Sequence, residues 1–173
     1  MQIIKCTAED LDRVAAFYDK VTEHLVNNIN YPKWVPGKYP GKKSVGLAID
    51  RDDQYACIDN GEVVGAFILN DDPMGDYSVG EWKKELNDDE CLVIHTLASD
   101  PEAYQKGVGR YMVEYCIDEA AKNGYKAVRL DVVPGNEPAI KLYRKLGFTF
   151  AGEKDLGRNL KKIPTFELYE SLI

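Results

Sequence analysis

The stretch from Gly107 to Phe148 sets most of what this chain can fold into. It carries a Gly-x-Gly loop at Gly107-Val108-Gly109, an amphipathic helix directly behind it, and an alternating strand. Asn136, Tyr143 and Gly147-Phe148 follow in that order. Glycines let backbone N–H groups turn inward and come close to an anion. A helix N-terminus behind them adds unpaired donors and a favourable dipole. Lys106 and Arg110 add positive charge. The combination suits a pyrophosphate, although a plain loop-to-helix turn has the same spacing. A dinucleotide fingerprint would need a third glycine at position 112, which is Met112. A triphosphate loop would need Gly-Lys-Ser/Thr, whereas Arg110 and Tyr111 follow Gly109.

Strand and helix signals alternate along the rest of the chain. Residues 2–6 read as a strand, and Thr7 with Asp10 has the spacing of a capping box. Leu11, Val14, Phe17, Tyr18, Val21 and Leu25 mark one helical face. Residues 44–50 suggest a second helix. Residues 54–58 and 62–69 are strands around Asn60-Gly61, the strongest short hairpin signal in the chain. The polar stretch 70–90 is expected to hold a short helix near residues 79–86, with a strand at 91–99 beyond it. Val108, Met112, Val113, Cys116, Ile117 and Ala120 form the stripe of the next helix, and Gly124 can end it. Residues 126–133 alternate, with Val128, Leu130 and Val132 on one side. Asn136 is placed to cap a helix reaching about Lys145, which Gly147 closes. Strands at 148–153 and 164–170 finish the pattern. The expected fold class is α/β: one domain over residues 1–173, with a mixed, mostly antiparallel sheet flanked by helices.

Composition bounds the function. A chain of 173 residues with 45% hydrophobic content can bury a full core. The formal net charge of −7 argues against nucleic acid as a partner and favours a cationic one. No apolar run approaches membrane-spanning length, and residues 1–6 lack a signal-peptide core, so a cytoplasmic location is expected. Cys6, Cys57, Cys91 and Cys116 have no metal-ligand spacing and read as buried free thiols.

Taken in order, several pieces resemble the core of the GNAT superfamily of acetyl-CoA-dependent N-acetyltransferases. They are Leu92-Val93-Ile94-His95-Thr96-Leu97-Ala98, Asp100-Pro101, the run from Gln105 to Arg110, Asn136-Glu137-Pro138-Ala139, and Leu142-Tyr143-Arg144-Lys145-Leu146-Gly147-Phe148. Any one of them is common, but all of them in this order and spacing are specific. The family loop places Gln or Arg where Tyr104 stands, whereas the glutamine here is one place later, at Gln105.

The resemblance implies a GNAT-like fold, acetyl-CoA as co-substrate, direct acetyl transfer to a primary amine, and no metal. A non-catalytic acyl-CoA-binding regulatory domain is the alternative. Acetyl-CoA is expected in a gap between the strand at 91–99 and the next one. The cofactor contacts implied are Gln105, Lys106, Gly107, Val108, Gly109 and Arg110 at the pyrophosphate. The backbone of Leu97, Ala98 and Ser99 would pair with the amides of pantetheine. Asn136 can both cap its helix and meet the cofactor. Tyr143 lies on the apolar stripe of its helix and is either a core residue or the acid that protonates the departing thiolate. Free thiols have a pKa of about 8.5 and phenols about 10. His95 stands two residues before Leu97, on the same strand face by simple alternation, and is the leading candidate for general base. Glu23, Glu90 and Asp131 are weaker candidates, and His24 reads as solvated. Tyr31, Trp34 and Tyr39, in the proline-rich segment after the first helix, either cage an amine or plug a loop onto the core. The partner expected is an amine-bearing acceptor, small molecule or peptide, and a homodimer is compatible with this reading.

Overall fold

The computed structural model describes residues 1–173, except for the side chains of Tyr104, Gln105 and Lys106. The strands are β1 (Gln2–Lys5), β2 (Gln54–Asp59), β3 (Glu62–Asn70), β4 (Cys91–Ser99), β5 (Ala127–Val132), β6 (Thr149–Lys154) and β7 (Phe166–Leu172). The helices are α1 (Leu11–Asn27), α2 (Lys42–Asp50), α3 (Val108–Lys122) and α4 (Glu137–Lys145). The seven strands form one sheet in the order β1-β2-β3-β4-β5-β7-β6. The pairs β1–β2, β2–β3, β5–β7 and β6–β7 are antiparallel, and β4–β5 is parallel. A parallel pair needs a crossover, and α3 supplies it. This is the mixed, mostly antiparallel α/β architecture expected from the sequence.

The chain falls into two compact units. One comprises Met1–Asn30, Trp34–Leu69 and His95–Met112; the other comprises Tyr31–Lys33, Asn70–Ile94 and Val113–Ile173. In the first, Val14, Phe17, Tyr18 and Val21 of α1 share one buried cluster with Val45 and Ile49 of α2, Ala56, Ala66 and Ala98. These positions recur at helical spacing on α1, and each such side chain removed from water contributes about 1.5–3 kcal/mol. Trp34 packs against this cluster and meets Tyr18 edge to face, so it acts as a plug, whereas Tyr39 is exposed. In the second, Tyr77, Val93, Ala151, Leu156, Phe166 and Leu168 are buried together. Among the described residues no helix is long and apolar enough to cross a membrane.

The helix expected near residues 79–86 does not form. Instead, single 3₁₀ turns stand at Tyr77–Val79 and Asp88–Glu90. The backbone donors there go to tertiary acceptors. Glu81 N–H donates to Ala151 O at 2.7 Å, and Lys83 N–H donates to a Glu170 carboxylate oxygen at 3.0 Å. Those bonds replace the i−4 carbonyls that a helix would need.

Candidate active site

β4 changes character part-way along. Its parallel ladder with β5 runs from Cys91 to Ile94, and residues 95–99 lie beyond it. Thr96 has φ 48, a left-handed value rare for a β-branched residue. Tyr18, fully buried on α1, holds this kink by donating from its hydroxyl to Thr96 O at 3.0 Å. A left-handed residue inside a strand breaks the alternation of side chains. The shared face inferred for His95 and Leu97 therefore does not follow. His95 is buried at 8% exposure, Leu97 and Ser99 are half-buried, and Ala98 turns into the core of the first unit.

Beyond β4, Asp100 organises the turn. Its carboxylate accepts from Glu102 N–H at 2.9 Å and from Lys20 Nζ at 3.0 Å, and its own N–H donates to Val64 O at 2.8 Å. A 3₁₀ segment, Pro101–Lys106, ends at Gly107, which takes φ 70, ψ 23. A Cβ added at Gly107 would meet nothing within 4 Å, so the space beside this left-handed residue is open. α3 begins at the next residue. Gly107 O accepts the N–H of Tyr111, while the N–H groups of residues 108–110 belong to the first turn, where a helix has no carbonyl of its own to offer. Val108 is 1% exposed, so its contribution to an anion site is its backbone; Arg110 is exposed. The side chains of Gln105 and Lys106 lie outside the described residues.

In the second unit, Asn136 stands at the N-cap of α4, but its side chain makes no capping bond. The capping role inferred for it holds for its position and not for its side chain. Tyr143 is 6% exposed and packs its ring against Phe148 at 5.5 Å. Burial pushes its phenol well above the usual range, and the charges of Cys116 and Asp131 push the same way. Among the described residues Gln54 Oε1 is the one buried side-chain polar atom without a partner. The Tyr143 hydroxyl has no hydrogen bond among the described contacts, so it opens onto accessible surface.

Two of the three weaker base candidates, Asp131 and Glu90, are otherwise engaged. Asp131 accepts from Arg158 Nη1 at 2.8 Å and Nη2 at 2.7 Å, and from the Tyr77 hydroxyl at 2.8 Å. A doubly anchored carboxylate is a strut. Glu90 is paired with Lys126, and this hydrogen bond holds its carboxyl below the usual range. Glu23 and His24 are exposed. All four cysteines are free and buried, and burial pushes Cys6 up to about 12 and Cys57 up to about 11. None is an activated nucleophile. Sequence reasoning missed the Tyr18–Thr96 brace and the Arg158–Asp131–Tyr77 strut, because neither has a periodic or local signature.

The model of the Acetyltransferase (GNAT) family matches residues 25–148, and the chain belongs to that family. An uncharacterized N-acetyltransferase of Methanocaldococcus jannaschii is 31% identical over 99 residues, which cover 57% of this chain and 40% of that protein. The ribosomal protein bS18-alanine N-acetyltransferase of Escherichia coli K12 is 40% identical over 58 residues, which cover 34% of this chain and 39% of that protein. The chain thus spans about two fifths of the length of these relatives. The fold is similar to a GNAT acetyltransferase from Streptococcus agalactiae, with TM-score 0.80 and 16% identity over 99% of this chain and 95% of that one. It is also similar to an acetyltransferase from Salmonella typhimurium solved with its cofactor acetyl-CoA, with TM-score 0.69 and 18% identity over 99% and 93% of the two chains.

Proposed function

We propose that this chain transfers the acetyl group of acetyl-CoA directly to a primary amine of a small molecule or peptide. The observation that carries this reading is the turn at Gly107. A left-handed residue with open space at its Cβ position leads straight into the first turn of a 15-residue helix. That arrangement fits a pyrophosphate, with backbone N–H groups of residues 107–110 donating to it. The backbone of Leu97, Ala98 and Ser99 offers hydrogen-bonding groups to pantetheine, and one N–H there can stabilise the oxyanion of the tetrahedral intermediate.

The acceptor amine must lose a proton to attack, and His95 takes it, directly or through a water. The C–N bond forms, the C–S bond breaks as Tyr143 gives its proton to the departing sulfur, and the second proton shed by the new amide nitrogen returns to the Tyr143 phenolate, directly or through water. Tyr143 stays protonated through the physiological range because burial raises its pKa. The same burial makes it a weaker acid, but a thiolate expelled into those surroundings gains proton affinity for the same reason, which restores the match. Asn136, with no capping bond to hold it, is available to the cofactor.

The test is CoA release from acetyl-CoA across a panel of amines: small amines, aminoglycosides, amino acids and peptide N-termini. The last belong in the panel because the Escherichia coli relative is named for acetylating an alanine of a ribosomal protein. Amine-dependent CoA release supports the reading. Acetyl-CoA binding without turnover on any amine would favour a regulatory acyl-CoA-binding domain.

A further inference from the structure

The second unit contains a hollow of about 440 Å³ whose lining includes Tyr77, Ser78, Trp82, Asn87, Asp88 and Arg129. Its size is that of a small-molecule site. Arg129, on β5, is 2% exposed and is paired with Glu170, itself 1% exposed. Its Nε and Nη2 both donate to Glu170 Oε2 at 3.2 Å, and Nη2 also donates to Lys84 O at 3.2 Å. Glu170 Oε1 is satisfied by Lys83 N–H. The Nη1 group of Arg129 has no hydrogen bond among the described contacts, and it is not among the sealed polar atoms. Two donors of a deeply placed guanidinium therefore remain for something in the hollow.

The wall beside Arg129 is built rigidly. The indole of Trp82 lies over the guanidinium at 4.1 Å, and its Nε1 donates to Tyr77 O at 2.6 Å. The ring fits because position 80 is glycine: a Cβ there would stand 2.4 Å from the ring. The charges then select the ligand. Arg129 and Glu170 cancel, and the exposed carboxylates of Asp88 and of Asp76, whose Oδ1 already accepts from Ser78 N–H and Oγ, leave the lining negative. A bare anion is disfavoured there, and an oxygen acceptor attached to a cation is favoured.

We propose that this hollow binds a small ammonium compound that also carries a carbonyl or carboxylate oxygen, the chemistry of an amino acid or its amide. Arg129 Nη1 donates to the oxygen, and Asp88 and Asp76 face the ammonium. None of the residues lining the hollow is among those assigned to acetyl transfer, and the proposal does not depend on that activity.

Trp34 and Trp82 are the two tryptophans of the chain, so the full-length Trp34→Phe protein reports Trp82 emission alone. Four probes are titrated: glycinamide, glycine, ethylammonium and acetate. A saturable change with glycinamide or glycine, about tenfold stronger than with ethylammonium or acetate, is expected because both ends of the ligand are held. Whichever of glycinamide and glycine binds tighter identifies the acceptor as carbonyl or carboxylate. Asp88→Asn, a surface change that leaves the fold intact, is expected to weaken the two-headed probes about threefold to tenfold. Gly80→Ala displaces the indole and is expected to abolish the response. The proposal is overturned if neither two-headed probe gives a saturable change, if ethylammonium alone binds as well, or if Asp88→Asn binds as tightly as its parent.

Discussion

The candidate residues of the two units work by different means. In the first unit, His95 apart, the candidate groups are backbone: the kinked strand at Thr96, the left-handed turn at Gly107 and the opening amides of α3. Their support is the buried Tyr18 hydroxyl on the Thr96 carbonyl and the Asp100 carboxylate at the turn. In the second unit the groups are side chains: Tyr143, held by ring packing on Phe148, and the Arg129–Glu170 pair and Arg158–Asp131–Tyr77 strut, whose polar atoms are individually paired. Backbone groups keep their chemistry through most side-chain replacements and lose it when the conformation changes. Buried polar side chains lose theirs when one atom is removed, because the partner is left unpaired in a low dielectric.

Four substitutions or conditions would break or sharpen that contrast. The largest effect is expected from Glu170→Ala, which leaves the guanidinium of Arg129 buried without its counter-charge. Urea unfolding should show a loss of about 3–5 kcal/mol. A loss below about 1 kcal/mol would mean that water reaches Arg129 and satisfies it. Next, Tyr143→Phe should keep acetyl-CoA affinity and fold while lowering kcat about 10²–10⁴-fold. Unchanged kcat, with the chemical step rate-limiting, would leave Tyr143 as a core ring against Phe148.

Gly107→Val tests the backbone side. The left-handed conformation costs a residue with a Cβ about 1–2 kcal/mol, so acetyl-CoA binding should weaken by about tenfold or more. A folded variant with unchanged affinity would move the pyrophosphate contacts away from this turn. The last concerns the buried thiols and is confined to alkaline pH. Cys6 is pushed up to about 12 from an ordinary value of 9.0, chiefly by burial. A raised acid is neutral in the folded chain while the unfolded chain ionises first. Its contribution is therefore fully present below pH 9 and is lost as pH rises from 9 toward about 12. Cys6→Ala should accordingly show a flatter decline of stability over that window than the parent. Parallel curves would contradict it.

Much of the fold was legible because local chemistry and tertiary structure agree. Asn60-Gly61 closes the β2–β3 hairpin, and five of the six positions in the predicted stripe of α3 are fully buried. Gly107 and Tyr143 were singled out through the order of motifs along the chain. What failed to show has a physical cause in each case. The stretch around residues 79–86 has helix-compatible residues, but Ala151 and Glu170, distant in sequence, take its backbone donors. The Thr96 kink runs against the propensity of threonine and exists because Tyr18 holds the carbonyl. Alternation placed Val128, Leu130 and Val132 on one side of β5 and carried no signal for Arg129, whose buried partners reveal that both faces are covered.

The proposed reaction couples acetyl-CoA to an amine. The most direct measurement is free thiol released from acetyl-CoA by the wild-type chain, with and without each amine of the panel, alongside the mass of the amine product. Thiol release is expected to depend on the amine and to match N-acetylated product one for one. Thiol release of equal rate without any amine, or no release with any of them, would contradict it.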